Sequence, residues 1–158
     1  MLSYEKKYEA AGKLITIGVD EAGRGPLAGP VVAAAVFLRK HDFCNRIDDS
    51  KRLSPSQRDA AFVEIESNSV FGIGVVNEIV IDRVNILGAT KLAMQQAIGV
   101  LSDKLGEVDP KTVQVLIDGP IKLDLYYSFE AIIKGDQKSL SIAAASILAK
   151  VTRDRIMN

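Results

Sequence analysis

Short apolar runs alternate with amphipathic stretches along the chain, and the period of each predicts its element. Leu14, Ile15, Ile17 and Val19 form a β-branched-rich run that reads as a strand over about 14–20. Val31 to Leu38 is continuously apolar and predicts a second strand over about 30–38. Ser54 and Pro55 make an N-cap and N1 pair, opening a helix to about Ser67 whose apolar side is Ala60, Ala61, Phe62, Val63 and Ile65. Val70 to Val76 is a third strand. Gly72 and Gly74 share one of its faces, which predicts a bend or the close approach of another backbone. Asn77 caps a short helix over about 78–83, and a longer helix follows over about 86–105, with Leu92, Ala93, Ala97 and Leu101 among its apolar positions. Val113 to Ile117 and Phe129 to Ile133 read as strands four and five, and an alanine-rich helix runs from Leu140 to Asn158. Residues 1–13 form a helix or arm in which Tyr4 and Tyr8 lie four apart and can pack together.

Three strands joined by short connections predict an antiparallel meander, and the later helix-separated strands extend it into a mixed sheet with helices packed on it. At 158 residues, with no internal repeat or linker, the chain reads as one α/β or α+β domain large enough for a core of its own.

Charge and composition narrow the chemistry. Twenty basic residues balance twenty acidic ones, so nucleic-acid binding has to rest on a local patch. Cys44 and His41 are the only cysteine and histidine, which removes an intrachain disulfide, a cysteine zinc cluster and a histidine-based zinc triad. His41, beside Asp42, reads as a solvated loop residue. The N-terminus has no apolar signal region, and the longest apolar run falls well short of the roughly 20 residues that cross a bilayer. A cytoplasmic chain without membrane association is expected.

The first strand ends on Asp20-Glu21, and Gly23-Arg24-Gly25-Pro26 follows at once. Adjacent acids at the end of a buried strand repel unless a cation lies between them; the alternative is a solvated acidic turn. The glycines allow positive φ and, with Arg24, offer exposed N–H groups and a cation suited to a phosphodiester. A dinucleotide-binding loop is the rival reading of Gly23, Gly25 and Gly29, but such a loop opens a helix, and here Val31 opens a strand. Asp118 closes strand four and Asp136 follows strand five, so three strand ends present acids. Each also has a plain reading as a turn residue. If the strands are neighbours, the four carboxylates converge, and an all-oxygen set selects Mg²⁺ or Mn²⁺. Two such ions roughly 3.5–4 Å apart can clamp the attacking and leaving oxygens of an in-line phosphoryl displacement.

The stretch Asp20-Glu21-Ala22-Gly23-Arg24-Gly25 closely resembles the signature of bacterial ribonuclease HII, the type 2 ribonuclease H family, and Ser141 to Asp154 resembles the family's later helix. The resemblance implies a ribonuclease H-like fold with a mixed five-stranded sheet. It implies that Asp20, Glu21, Asp118 and Asp136 bind metal and carry catalysis, and that Gly23, Arg24 and Gly25 line the ribonucleotide at an RNA–DNA junction. It further implies hydrolysis of RNA in RNA–DNA hybrids, and cleavage 5′ to single ribonucleotides in duplex DNA, leaving 3′-hydroxyl and 5′-phosphate ends. A monomer is expected. Family members usually continue past this helix with a tyrosine that stacks near the junction ribose. No tyrosine follows Tyr127 here, so the family's C-terminal segment is expected to be missing from residues 1–158.

Lys51, Arg52, Lys134 and Lys150, together with Lys138, Arg153 and Arg155, are candidate phosphate contacts beside the metal site. Asp154 is assigned to pairing on the helix surface. Two readings compete with the endoribonuclease: another ribonuclease H-like nuclease such as a resolvase, and a non-catalytic or weakly active hybrid-binding module.

Overall fold

A computed structural model of the chain describes residues 1–25 and 28–158; Pro26, the last residue of the signature stretch, lies outside them. In chain order the elements are α1 (Ser3–Ala10), β1 (Ile15–Ala22), β2 (Val31–Leu38), α2 (Pro55–Ser67), β3 (Ser69–Val76), α3 (Glu78–Leu105), β4 (Val113–Asp118), β5 (Ser128–Ile132) and α4 (Leu140–Met157), with 3-10 turns at Ser50–Arg52, Pro110–Thr112 and Gly135–Gln137.

The strands form one five-stranded mixed sheet in the order β3-β2-β1-β4-β5. The expected meander is present as antiparallel β1/β2 and β2/β3 pairs, while β4 joins β1 in parallel and β5 joins β4 in parallel. Both faces are covered, which is why β2 is apolar at every position. Val31, Ala33 and Ala35 face the α3 core, and Ala34, Val36 and Leu38 face α2 and α4.

Glycine sets two close approaches. A Cβ at Gly72 or Gly74 would overlap the carbonyl oxygens of Ala97 and Ala93, so α3 rests directly on the β3 backbone, as the shared glycine face predicts. On the other side of the sheet, a Cβ at Gly18 would overlap the Ser141 backbone, so the start of α4 lies against β1. The two helices expected over 78–105 are continuous except at Asn85, whose φ of 61° and ψ of 174° break the helical path; its side chain caps the next turn at the Gly88 N–H, 2.9 Å away. The N-terminal segment is a helix. Buried Glu5 accepts from the Ser139 hydroxyl at 2.7 Å and the Ser141 N–H at 3.0 Å, which fixes a carboxylate at the positive end of α4. Tyr4 and Tyr8 pack on the small core of Leu116, Ile132 and Ile142, and the Tyr8 hydroxyl donates to Glu130.

Candidate metal centre and nucleic-acid cleft

Because β1 and β4 are parallel and paired from Ile15↔Val113 to Val19↔Ile117, their C-terminal ends lie side by side. Side chains alternate faces along a strand. Ile17, Val19, Val115 and Ile117 enter the α3 core, so Gly18 and Asp20, with Leu116 and Asp118, take the α4 face. Asp136 arrives from the 3-10 turn after β5, and its N–H donates to Asp118 Oδ1 at 3.1 Å. One carboxylate oxygen from each of Asp20, Asp118 and Asp136 lies within 4.8 Å of the others.

Glu21 lines the same cleft but is not part of that group of three, since alternation turns it to the other face of β1. Its Oε1 lies 3.7 Å from the Arg24 guanidinium, and its Oε2 is buried without a hydrogen-bond partner. The sequence expectation of four converging acids thus resolves into three clustered carboxylates and one flanking them.

Burial and mutual repulsion raise the carboxyls of the site. Burial, followed by repulsion from Glu21 and Asp118, holds the Asp20 carboxyl well above its ordinary range. Burial likewise raises Glu21, opposed by Arg24 among others. Asp136 is pushed up to about 7 by burial, then by Asp118 and Asp49, with Lys51 opposing. Three buried or half-buried carboxylates, a fourth acid with one buried oxygen unpartnered, and no histidine or cysteine among the described residues of the cleft fit a hard divalent cation.

The cleft encloses about 440 Å³ and is lined by the acids, the Gly23-Arg24-Gly25 turn, Lys51 and Lys150. Others of the expected basic contacts do not line this cleft. Arg52 points to Gln137, 2.9 Å away, and lies 3.9 Å from Asp48; exposed Lys134 does not line the cleft. Asp154 pairs with Lys150 at 3.0 Å on the helix surface, as expected, and His41 is exposed.

Ser50, Ser146 and Arg153 also line the cleft; the sequence marked Arg153 as a candidate phosphate contact and did not mark the two serines. The Ser146 hydroxyl donates to Ser50 Oγ at 2.8 Å, tying the Lys51 turn to α4. Asp49 caps that turn by accepting from the Lys51 N–H at 3.1 Å. An Asp before a short turn is a legible cap signal; the serine pair has none, because its partners are distant in sequence.

A mixed sheet of this order with acids at the edge of its parallel strands is a ribonuclease H-type fold. Archaeoglobus fulgidus RNase HII, solved in a complex with PCNA, superposes with a TM-score of 0.71 at 27% identity, over 91% of this chain and 75% of that one. Bst-RNase HIII, solved in complex with Mn²⁺, shares the fold with a TM-score of 0.73 at 22% identity, over 94% of this chain and 54% of that one. The sequence model of the family Ribonuclease HII matches residues 17–158. Ribonuclease HII of Ruminiclostridium cellulolyticum is 51% identical over 99% of this chain, and the alignment spans 59% of that protein's length. The chain belongs to the ribonuclease HII family.

Proposed function

We propose that this chain is a metal-dependent endonuclease that hydrolyses the RNA strand of RNA–DNA hybrids and cuts 5′ to ribonucleotides embedded in duplex DNA, leaving 3′-hydroxyl and 5′-phosphate ends. The observation that carries the reading is the carboxylate cluster of Asp20, Asp118 and Asp136 opening into the same cleft as the Gly23-Arg24-Gly25 turn. Family membership supports it.

Asp20, Asp118 and Asp136 would hold the metal, and Glu21 would complete the set. Mg²⁺ or Mn²⁺ bound there, as one ion or a pair, supplies Lewis acidity toward the attacking water and the leaving 3′ oxygen. The remaining work belongs to the chain. Lys51 and Lys150 line the cleft and would neutralise phosphates, which orients the strand without reading sequence. The Gly23-Arg24-Gly25 turn carries no bulky side chain at either glycine, so its backbone can approach a sugar closely. A 2′-hydroxyl offers a donor and an acceptor to such a turn, and deoxyribose offers neither. We take residues 1–158 as one catalytic domain, acting as a monomer in the cytoplasm. Among the described residues no helix is long and apolar enough to cross a membrane.

The test is hydrolysis of an RNA–DNA hybrid with Mg²⁺ or Mn²⁺, with the product ends mapped. Products bearing 3′-hydroxyls and 5′-phosphates, lost on chelation, are expected. Cleavage that persists in chelator, or that leaves 3′-phosphates, contradicts the proposal.

A further inference from the structure

Arg153 is the basic residue of the cleft whose side chain turns inward. It is 6% exposed, and its guanidinium donates from Nε to the Pro30 carbonyl at 2.9 Å and from a terminal nitrogen to the Ala28 carbonyl at 2.7 Å. Both acceptors lie where the chain returns from β1 toward β2. The outgoing end of the same loop lies on the same group: a Cβ at Gly23 would fall 2.5 Å from Arg153 Nε and 2.5 Å from the Pro30 oxygen. A Cβ at Gly29 would fall 2.8 Å from the guanidinium. Gly23 and Gly29 have φ of 101° and 92°, a region that side-chain-bearing residues rarely adopt. One planar cation on α4 thus hydrogen-bonds the returning end of the loop that carries Arg24 and Gly25 and lies close against Gly23 at its outgoing end.

We propose that Arg153 is a positioning residue for ribonucleotide selectivity, holding the Gly23-Arg24-Gly25 backbone in register with the carboxylates without itself touching substrate. The inference rests on the function proposed above. A phosphate contact needs free N–H groups facing solvent; here the guanidinium is buried and two of its donors are engaged by the loop. The fork geometry matters, because two carbonyls at different angles suit a guanidinium better than a single ammonium. Ser146 and Lys150 enter the cleft from the same helix, so α4 carries the loop's anchor and one wall of the cleft together.

The test compares the wild-type protein with Arg153→Lys and Arg153→Gln. Binding is measured without divalent metal, so that nothing is cut, to a duplex carrying one ribonucleotide and to the same duplex in all-deoxy form. The rise in melting temperature on adding Mn²⁺ is measured in parallel. The selectivity ratio should fall by roughly tenfold or more in Arg153→Gln, the scale at which loosely held groups lose discrimination, with a partial loss in Arg153→Lys. The Mn²⁺ shift should match wild type in both variants. A wild-type ratio retained by either folded variant overturns the inference. So does loss of the Mn²⁺ shift together with selectivity, or failure of both variants to melt cooperatively, since either makes Arg153 a residue of the fold at large. A wild-type ratio of one overturns the functional reading as well.

Discussion

The backbone N–H of Asp136 donates to Asp118 Oδ1 across 3.1 Å, so one carboxylate that lines the cleft also fixes the turn that brings the next one. The cluster is therefore not three independent side chains. The end of β4 organises the segment after β5, and Gly135 packs closely there, since a Cβ on it would fall 2.6 Å from the end of the Ile142 side chain.

Asp118→Asn keeps the size and an oxygen that can accept from Asp136, while removing a charge. Loss of a group that only orients a metal ligand costs roughly 10–100-fold in affinity or activity, and loss of a ligand should exceed that. Hydrolysis should fall by more than about a hundredfold, while circular dichroism and chromatographic behaviour stay those of the wild type. Metal-free protein should melt slightly higher, because repulsion with Asp20 and Asp136 falls. Undiminished turnover in this variant would remove Asp118 from the site.

The raised carboxyls make a signed prediction for pH. Asp136 is held at about 7 in the fold, against an ordinary value of 3.8. Between those values the folded state binds more protons than the unfolded state, so stability falls as pH rises. Asp20 and Glu21 shift in the same direction. Metal-free protein should melt at a higher temperature at pH 5.5 than at pH 8, and Mn²⁺ should raise the pH 8 melting temperature more than the pH 5.5 one. A metal-free melting temperature that climbs from pH 5.5 to 8 would contradict the electrostatic account.

Lys51 and Arg52 are neighbours in sequence with different surroundings. Lys51 lines the cleft, whereas Arg52 is engaged by Gln137 and Asp48. Lys51→Ala should weaken binding to hybrid and DNA duplex alike and lower the salt slope by about one. Arg52→Ala should change the slope less. Titrations at several salt concentrations decide this, and equal slopes for Lys51→Ala and wild type would return Lys51 to the solvated surface.

Much of this arrangement was legible in the sequence, for identifiable reasons. Acids that end two apolar runs reach the same sheet edge once those strands are parallel, which is how Asp20 and Asp118 meet. Gly72 and Gly74 on one strand face announced the approach of α3. What escaped the sequence is what depends on alternation at one residue or on distant partners. Asp20 and Glu21 were read together as the end of a strand, but both lie within β1, and adjacency sends them to opposite faces. Arg153 was read with the candidate phosphate contacts, but its guanidinium turns to carbonyls 123 and 125 residues earlier. Arg52 and Lys134 carried the right charge near the right motif, but charge alone does not say which side of a turn faces the cleft.

Gly74→Ala separates the fold from the site. The added Cβ would meet the Ala93 carbonyl oxygen, a backbone atom that cannot swing aside. Overpacking of this kind costs about 1–3 kcal/mol, to be read as a lower midpoint in urea. Gly74 lies in the edge strand β3, separated from β1 by β2, and does not line the cleft, so activity per folded molecule should be retained. An unchanged midpoint would show that α3 can shift off the strand.

The central claim is that one cleft both cuts a phosphodiester and senses the sugar beside it. The most direct measurement is cleavage, with Mg²⁺ or Mn²⁺, of a DNA duplex carrying a single ribonucleotide, alongside the same duplex with deoxyribose at that position. We predict scission on the 5′ side of the ribonucleotide and none at that step in the all-deoxy duplex. Equal cutting of the two duplexes, or cutting of neither by folded protein that binds the metal, would contradict the account.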